Sequence, residues 1–138
     1  MRPPLTNGKR SKLILLDTST LLFWTLDRAK LSIAAEEAIG GADRILLLSI
    51  SFWEIGVKAQ KGKLLLPGPL HEFVSRVKRV DRVEIVTMDE NIWVEAATLN
   101  WVHRDPADRA LVATATLLEC PIVTSDLAIR EYFARAIW

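Results

Sequence analysis

The run Leu13-Ile14-Leu15-Leu16, followed at once by Asp17-Thr18-Ser19-Thr20, decides how the rest of the chain is read. Consecutive apolar residues without alternation are the pattern of a strand buried on both faces, as in a parallel sheet. Asp, Thr and Ser directly after it offer side-chain acceptors to the unpaired N–H groups of a helix start. Leu21-Leu22-Phe23-Trp24 carries that helix on. Strand, cap and helix are the opening of a βαβ unit. Its corner acid stands at the sheet end where open α/β folds place their sites.

The same grammar recurs outward from there. Ser32 opens a helix through Ile39 that Gly40-Gly41 stops, Arg44 to Ile50 is a second apolar strand, and Ser51 opens a helix towards Gly62. Pro67-Gly68-Pro69 is a turn, after which Leu70, Phe73, Val74 and Val77 form one stripe of an amphipathic helix. Val83 to Thr87 is a third strand, and Asp89 caps a helix carrying Ile92, Trp93 and Ala96 on one side. Asp105-Pro106 pairs a capping acid with Pro at the first helical position, starting an Ala-rich helix to Glu119. Pro121 to Thr124 is a fourth strand, Asp126 begins a helix to about Arg135, and Ala136-Ile137-Trp138 is a short edge strand. Such alternation predicts a three-layer α/β/α domain with a mostly parallel four- or five-stranded sheet.

The chain has 138 residues, which argues for one domain, here residues 13–138 behind a basic, flexible tail of residues 1–12. Half of the residues are hydrophobic (50%), which fits either a crowded α/β core or an apolar surface reserved for a partner. A net charge of +1 points to no partner class. Cys120 stands alone, which excludes an internal disulfide framework, and two histidines are too few for a Cys/His zinc cluster. The tail lacks the apolar core of a signal peptide, and Leu13 to Leu26 is too short to span a bilayer and is broken by Asp17. A cytoplasmic protein with no membrane partner is expected.

Acids recur where strands hand over to helices. Asp17 follows the first strand, Glu54 lies in the first helical turn after the second, and Asp126 follows the fourth. Asp108 sits in the first turn of the helix leading into that fourth strand. Each one alone reads equally well as a cap or a helix-dipole acid; Ser51-Phe52-Trp53-Glu54 even fits the capping box. The set is harder to explain that way, because Ser, Thr or Asn would cap as well. Four converging carboxylates would repel and hold protons unless a cation joined them. Mg²⁺ and Mn²⁺ prefer such hard oxygen ligands, and can activate water against a phosphodiester while a nearby carboxylate takes the proton.

Leu15-Leu16-Asp17-Thr18, Trp53-Glu54-Ile55, Gly62-Lys63-Leu64, His103-Arg104-Asp105-Pro106-Ala107-Asp108-Arg109 and Val123-Thr124-Ser125-Asp126 occur in that order. Together they resemble the PIN-domain toxins of VapBC toxin–antitoxin systems, over nearly the whole chain. The resemblance implies a Mg²⁺- or Mn²⁺-dependent endoribonuclease that hydrolyses RNA with a metal-activated water. It also implies a VapB-like antitoxin, a homodimer, and contact with DNA only through the antitoxin. It maps catalysis and metal binding onto Asp17, Glu54, Asp108 and Asp126, with Asp105 a helix cap first and a metal neighbour second. Thr18 and Thr124 become partners of the carboxylates, or simply turn and cap residues. The sequence departs from the subgroup at Ala107, where a bulkier residue is usual, and at Ser19, where His is frequent.

Arg104 and Arg109 flank the acids and are the preferred phosphate contacts, with Lys58. Lys61, Lys63, Arg76, Lys78, Arg79 and Arg82 form either an RNA-facing rim or an ordinary solvated face. Trp53 is read as core, and His103 as a loop or packing residue rather than a general base. Two other functions are weighed. An aspartyl-phosphate phosphatase at Asp17 lacks the second acid two residues on. A degenerate PIN domain that only binds protein or RNA would be expected to have lost one of the four acids.

Overall fold

Side chains of β1 (Leu13–Leu16) alternate between two apolar layers, one on each face of the sheet. Ile14 and Leu16 join Leu21, Trp24, Ile39, Ile55 and Phe73 on one face, while Leu15 joins Ile92, Leu111, Val112 and Ile129 on the other. This is why the strand is apolar at every position rather than at every second one. The computed structural model describes residues 11–138. Most of the expected tail therefore lies outside the described residues. Lys12 is already tied down, its N–H donating to Asp43 Oδ2 at 2.7 Å.

The chain continues through α1 (Thr18–Leu26), a short 3₁₀ turn (Arg28–Lys30), α2 (Ile33–Gly41), β2 (Arg44–Leu48) and α3 (Ile50–Gln60). Then come α4 (Leu70–Arg79), β3 (Val83–Val86), α5 (Glu90–Thr98), α6 (Pro106–Leu118), β4 (Ile122–Val123), α7 (Leu127–Tyr132) and β5 (Ala136–Ile137). All pairings are parallel and the strand order is β3-β2-β1-β4-β5. Helices α1 to α4 pack on one face, and α5 to α7 on the other. The expected three-layer α/β/α architecture is what the chain adopts, with an all-parallel five-stranded sheet.

From β1 the chain builds outward to β2 and β3 on one side, then returns to add β4 and β5 on the other. The strand order thus reverses between β1 and β4. In open parallel sheets the crevice beyond the carboxyl ends at such a point is where ligands bind.

Several local expectations are corrected. Helix α2 runs two residues past Ile39 and ends on the glycine pair itself, at Gly41. Helix α3 starts at Ile50, so Ser51 is a buried helical residue and not the cap. Trp53, on the same helix, is 68% exposed and not core, and Trp93 of α5 is half-exposed beside buried Ile92 and Ala96. Helix α7 ends at Tyr132, short of Arg135, because the chain must turn to enter β5. Gly62 adopts φ 71°, the left-handed conformation that reverses the chain after α3.

Candidate metal centre

Beyond the carboxyl ends of β1 and β4 lies a cavity of about 220 Å³ lined by Asp17, Glu54, Asp105, Asp108 and Asp126. Lys58 adds a cation, and Thr18, Ser19, Ser51, Ala107 and Ser125 fill much of the remaining wall. Asp108, which chain direction alone does not place, arrives here because α6 begins at this edge before running back under the sheet. Ser19 and Ala107, the two departures noted above, both line the cavity, and both are small.

Asp17 forms the floor. It is the N-cap of α1, its Oδ1 accepting from Thr20 N–H at 2.8 Å. Its Oδ2 accepts from the Thr124 hydroxyl across the β1–β4 seam. Thr124 Oγ1 in turn accepts from Asp126 N–H at 3.0 Å, so one hydroxyl joins two acids of the cavity. Asp126 caps α7 through Oδ1, which accepts from Ile129 N–H at 3.0 Å. Asp105 caps α6, Oδ1 accepting from Ala107 N–H at 2.9 Å and Asp108 N–H at 3.4 Å.

Glu54 and Asp108 form the wall, and neither is a cap. Thr18 Oγ1 lies 2.5 Å from Glu54 Oε1 and 2.9 Å from Ser51 Oγ. Thr18 has one hydroxyl proton, which the carboxylate takes, so Ser51 is left to donate to Thr18. Glu54 thus does not reach back to cap α3, and the capping-box reading fails: the cap position, Ser49, makes no side-chain cap bond. Asp108 Oδ2 meets His103 Nε2 at 2.7 Å.

The cap and ligand readings are therefore not rivals. A carboxylate has two oxygens, and Asp105, Asp108, Asp126 and Glu54 each use one of them for a protein donor. Among the described residues the second oxygen of each has no protein hydrogen-bond donor. A Ser or Thr cap has a single, uncharged oxygen and would leave no carboxylate oxygen for a cation.

Electrostatics point the same way. Burial pushes the Asp17 carboxyl above its usual range; Thr124 and Thr20 offset part of this, and the Asp126 charge adds to it. Asp108 is raised to about 6, chiefly by burial, with Asp105 and Asp126 contributing repulsion against the lowering effect of His103. Carboxylates in this state lack a counter-charge. Apart from the His103 imidazole, the ligand atoms around them are oxygens, the one thiol, Cys120, is buried in the far apolar layer, and hard oxygens suit Mg²⁺ or Mn²⁺. The residues present fit such an ion, with Asp17, Asp108, Glu54 and Asp126 able to hold it and Asp105 adjacent. His103, Asp105 and Asp108 also bring ligand atoms within 4.8 Å of one another.

The cationic rim is corrected most. Arg109 turns its guanidinium into the protein, donating to the carbonyls of Ala96, Leu99, Trp101 and His103 at 2.7–3.0 Å. With four of its five N–H groups so engaged, it is a clamp on the loop before α6 and not a phosphate contact. Arg82 binds the carbonyls of Ile39 and Ala42, and Arg76 pairs with Glu72. Lys58 stands in the cavity wall one turn beyond Glu54, and Arg104 is exposed just ahead of α6. Sequence patterns gave Ser51 the wrong role and no hint of the Arg109 clamp. The only signal for His103 was its place in the HRDP run.

An α/β domain with carboxylates gathered at its topological switch point defines the class, and the chain belongs to the PIN domain family, whose model matches residues 14–133. It is similar to Ribonuclease VapC22 of Mycobacterium tuberculosis, 28% identical over 120 residues that cover 86% of this chain and 91% of that protein. Its fold resembles a solved toxin–antitoxin complex from Klebsiella pneumoniae, with TM-score 0.66 and 17% identity, covering 91% of this chain and 96% of that one. FitAcB from Neisseria gonorrhoeae also shares the fold, with TM-score 0.52 and 20% identity over 83% of this chain and 88% of that one. Among the described residues no helix is long and apolar enough to cross a membrane.

Proposed function

We propose that this chain is a Mg²⁺- or Mn²⁺-dependent endoribonuclease, the toxin of a type II toxin–antitoxin system. The observation that carries the reading is the single cavity onto which Asp17, Glu54, Asp108 and Asp126 converge from four separate elements. Membership of the PIN family and similarity to a protein named as a ribonuclease support it.

Asp17, Asp108 and Asp126, with Glu54, would hold the ion, which when bound supplies positive charge to a phosphodiester and lowers the pKa of water. Asp17 is the fixed reference point, since its two hydrogen bonds and burial leave it no freedom to turn. Glu54 would help to hold the attacking water and take its proton on Oε2, while Oε1 stays with Thr18. Lys58 meets the phosphate on the same wall, and Arg104 the RNA backbone outside it. A VapB-like antitoxin is the implied protein partner, with a homodimer as the assembly and DNA reached only through the antitoxin.

The test is cleavage of mixed RNA by the purified chain with Mg²⁺, Mn²⁺ or EDTA, beside Asp17→Asn. Metal-dependent cleavage that the variant loses is the expected result. Equal cleavage by both proteins, or cleavage indifferent to EDTA, would sink the mechanism.

A further inference from the structure

Acids of the cavity fall into two kinds by how they are held. Asp17, Asp105 and Asp126 are caps, and each is fixed by backbone N–H groups of the helix it starts. Glu54 lies in the second turn of α3 and Asp108 in the first turn of α6, and neither side chain accepts from a backbone N–H of its helix. Each must import a donor. Glu54 takes the Thr18 hydroxyl, and Asp108 takes the His103 ring.

His103 is itself held through both its ring and its backbone. Its ring lies 4.7 Å from that of Trp101 at a tilt of 35°, and Trp101 stacks on Tyr132 at 4.6 Å and 10°. Its carbonyl accepts from Arg109, which also ties down Leu99 and Trp101. The aromatic pile begins at the end of α7, the helix whose start carries Asp126. It ends against Asp108, so one pile links the two elements that present these acids.

We propose that His103 is a positioning residue: stacked on Trp101, it donates Nε2–H to Asp108 Oδ2 and fixes that carboxylate in one orientation at the cavity wall. The inference rests on reading the cavity as a metal site. An imidazole engaged with Asp108 in this way is not the general base of the reaction. Hydrogen-bond partners of metal-binding side chains typically change metal affinity by about 10- to 100-fold.

Mn²⁺ binding to the full chain, measured by electron paramagnetic resonance or calorimetry, tests this directly. His103→Phe keeps an aromatic ring on Trp101 and removes the donor; His103→Gln loses the ring but can place an amide N–H near the Nε2 position. Asp108→Asn serves as the control for loss of a ligand, and melting in EDTA checks that each variant is folded. The expected result is Mn²⁺ binding weakened about 10- to 100-fold in His103→Phe and largely recovered in His103→Gln. If His103→Phe binds Mn²⁺ like the wild type while Asp108→Asn does not, the metal site stands and the role of His103 falls. Equal loss in both His103 variants also rejects the donor. No Mn²⁺ binding by the wild type removes the metal reading and this inference with it.

Discussion

The floor and the wall of the cavity reach the same chemistry by different routes. On the floor, Asp17 and Asp126 sit at adjacent strand ends and are fixed by helix N–H groups and by one shared threonine. Placement there is a by-product of building the sheet. On the wall, Glu54 lies in the second turn of α3, one turn later than its sequence suggested, and Asp108 in the first turn of α6, and both depend on side chains brought from elsewhere. The floor is therefore rigid wherever the fold is intact, whereas the wall can lose its alignment in a protein that still folds.

The sharpest way to break this contrast is Asp17→Asn. Asn keeps the acceptor that caps α1 but not the charge, so the fold should survive. RNA cleavage should fall by two to three orders of magnitude, about the scale of removing one preorganised electrostatic group, with little change in melting temperature. A large loss of stability instead would mean that the floor carboxylate is structural first.

Next come the two threonines. Thr124→Val strips the donor from a buried carboxylate and should cost about 1–3 kcal/mol in urea unfolding. Thr18→Val acts on Glu54, which is only partly buried, and should cost about 0.5–1.5 kcal/mol while still impairing cleavage. Equal stability losses would erase the distinction between floor and wall.

A pH series on metal-free protein gives a smaller effect of definite sign. Asp108 is raised to about 6 in the folded chain from an ordinary 3.8, so the folded state binds more protons between these values. Stability from this group is therefore present at low pH and lost as pH rises through about 6. Asp17 shifts in the same direction. In EDTA the melting temperature should rise from pH 7 to 5; with saturating Mn²⁺, proton competition should reverse that trend. A flat profile in EDTA would show that neither acid is starved of charge.

The smallest effect belongs to Trp53→Ala. At 68% exposure the ring should contribute within about 0.5 kcal/mol to thermal stability of the isolated chain. A core-sized loss would restore the reading of Trp53 as core.

How much of this was readable in advance follows from the range of the interactions. Leu13 to Leu16 and Asp17 form a strand and its cap within a few residues, so local pattern suffices for the fold and the floor. The Asp105-Pro106 start of α6 is local too. Ser51 shows where such reasoning ends. Its spacing to Glu54 matches a capping box, but Thr18, 36 residues before Glu54, wins that carboxylate. Arg109 looks like a basic residue beside a site, and only the carbonyls of Ala96, Leu99 and Trp101 reveal a clamp. Trp53 lies on a mostly apolar helix turn, and nothing local tells which apolar residue is left outside.

The bond between Thr124 and Asp17 joins residues 107 apart in the chain, nearly its full span. During translation Asp17 is made 107 residues ahead of Thr124. A polypeptide that has not yet reached Thr124 has no closed floor, whatever it has already folded. On the proposed activity, the chain cannot cut the message producing it until β4 has been made and has joined the sheet beside β1.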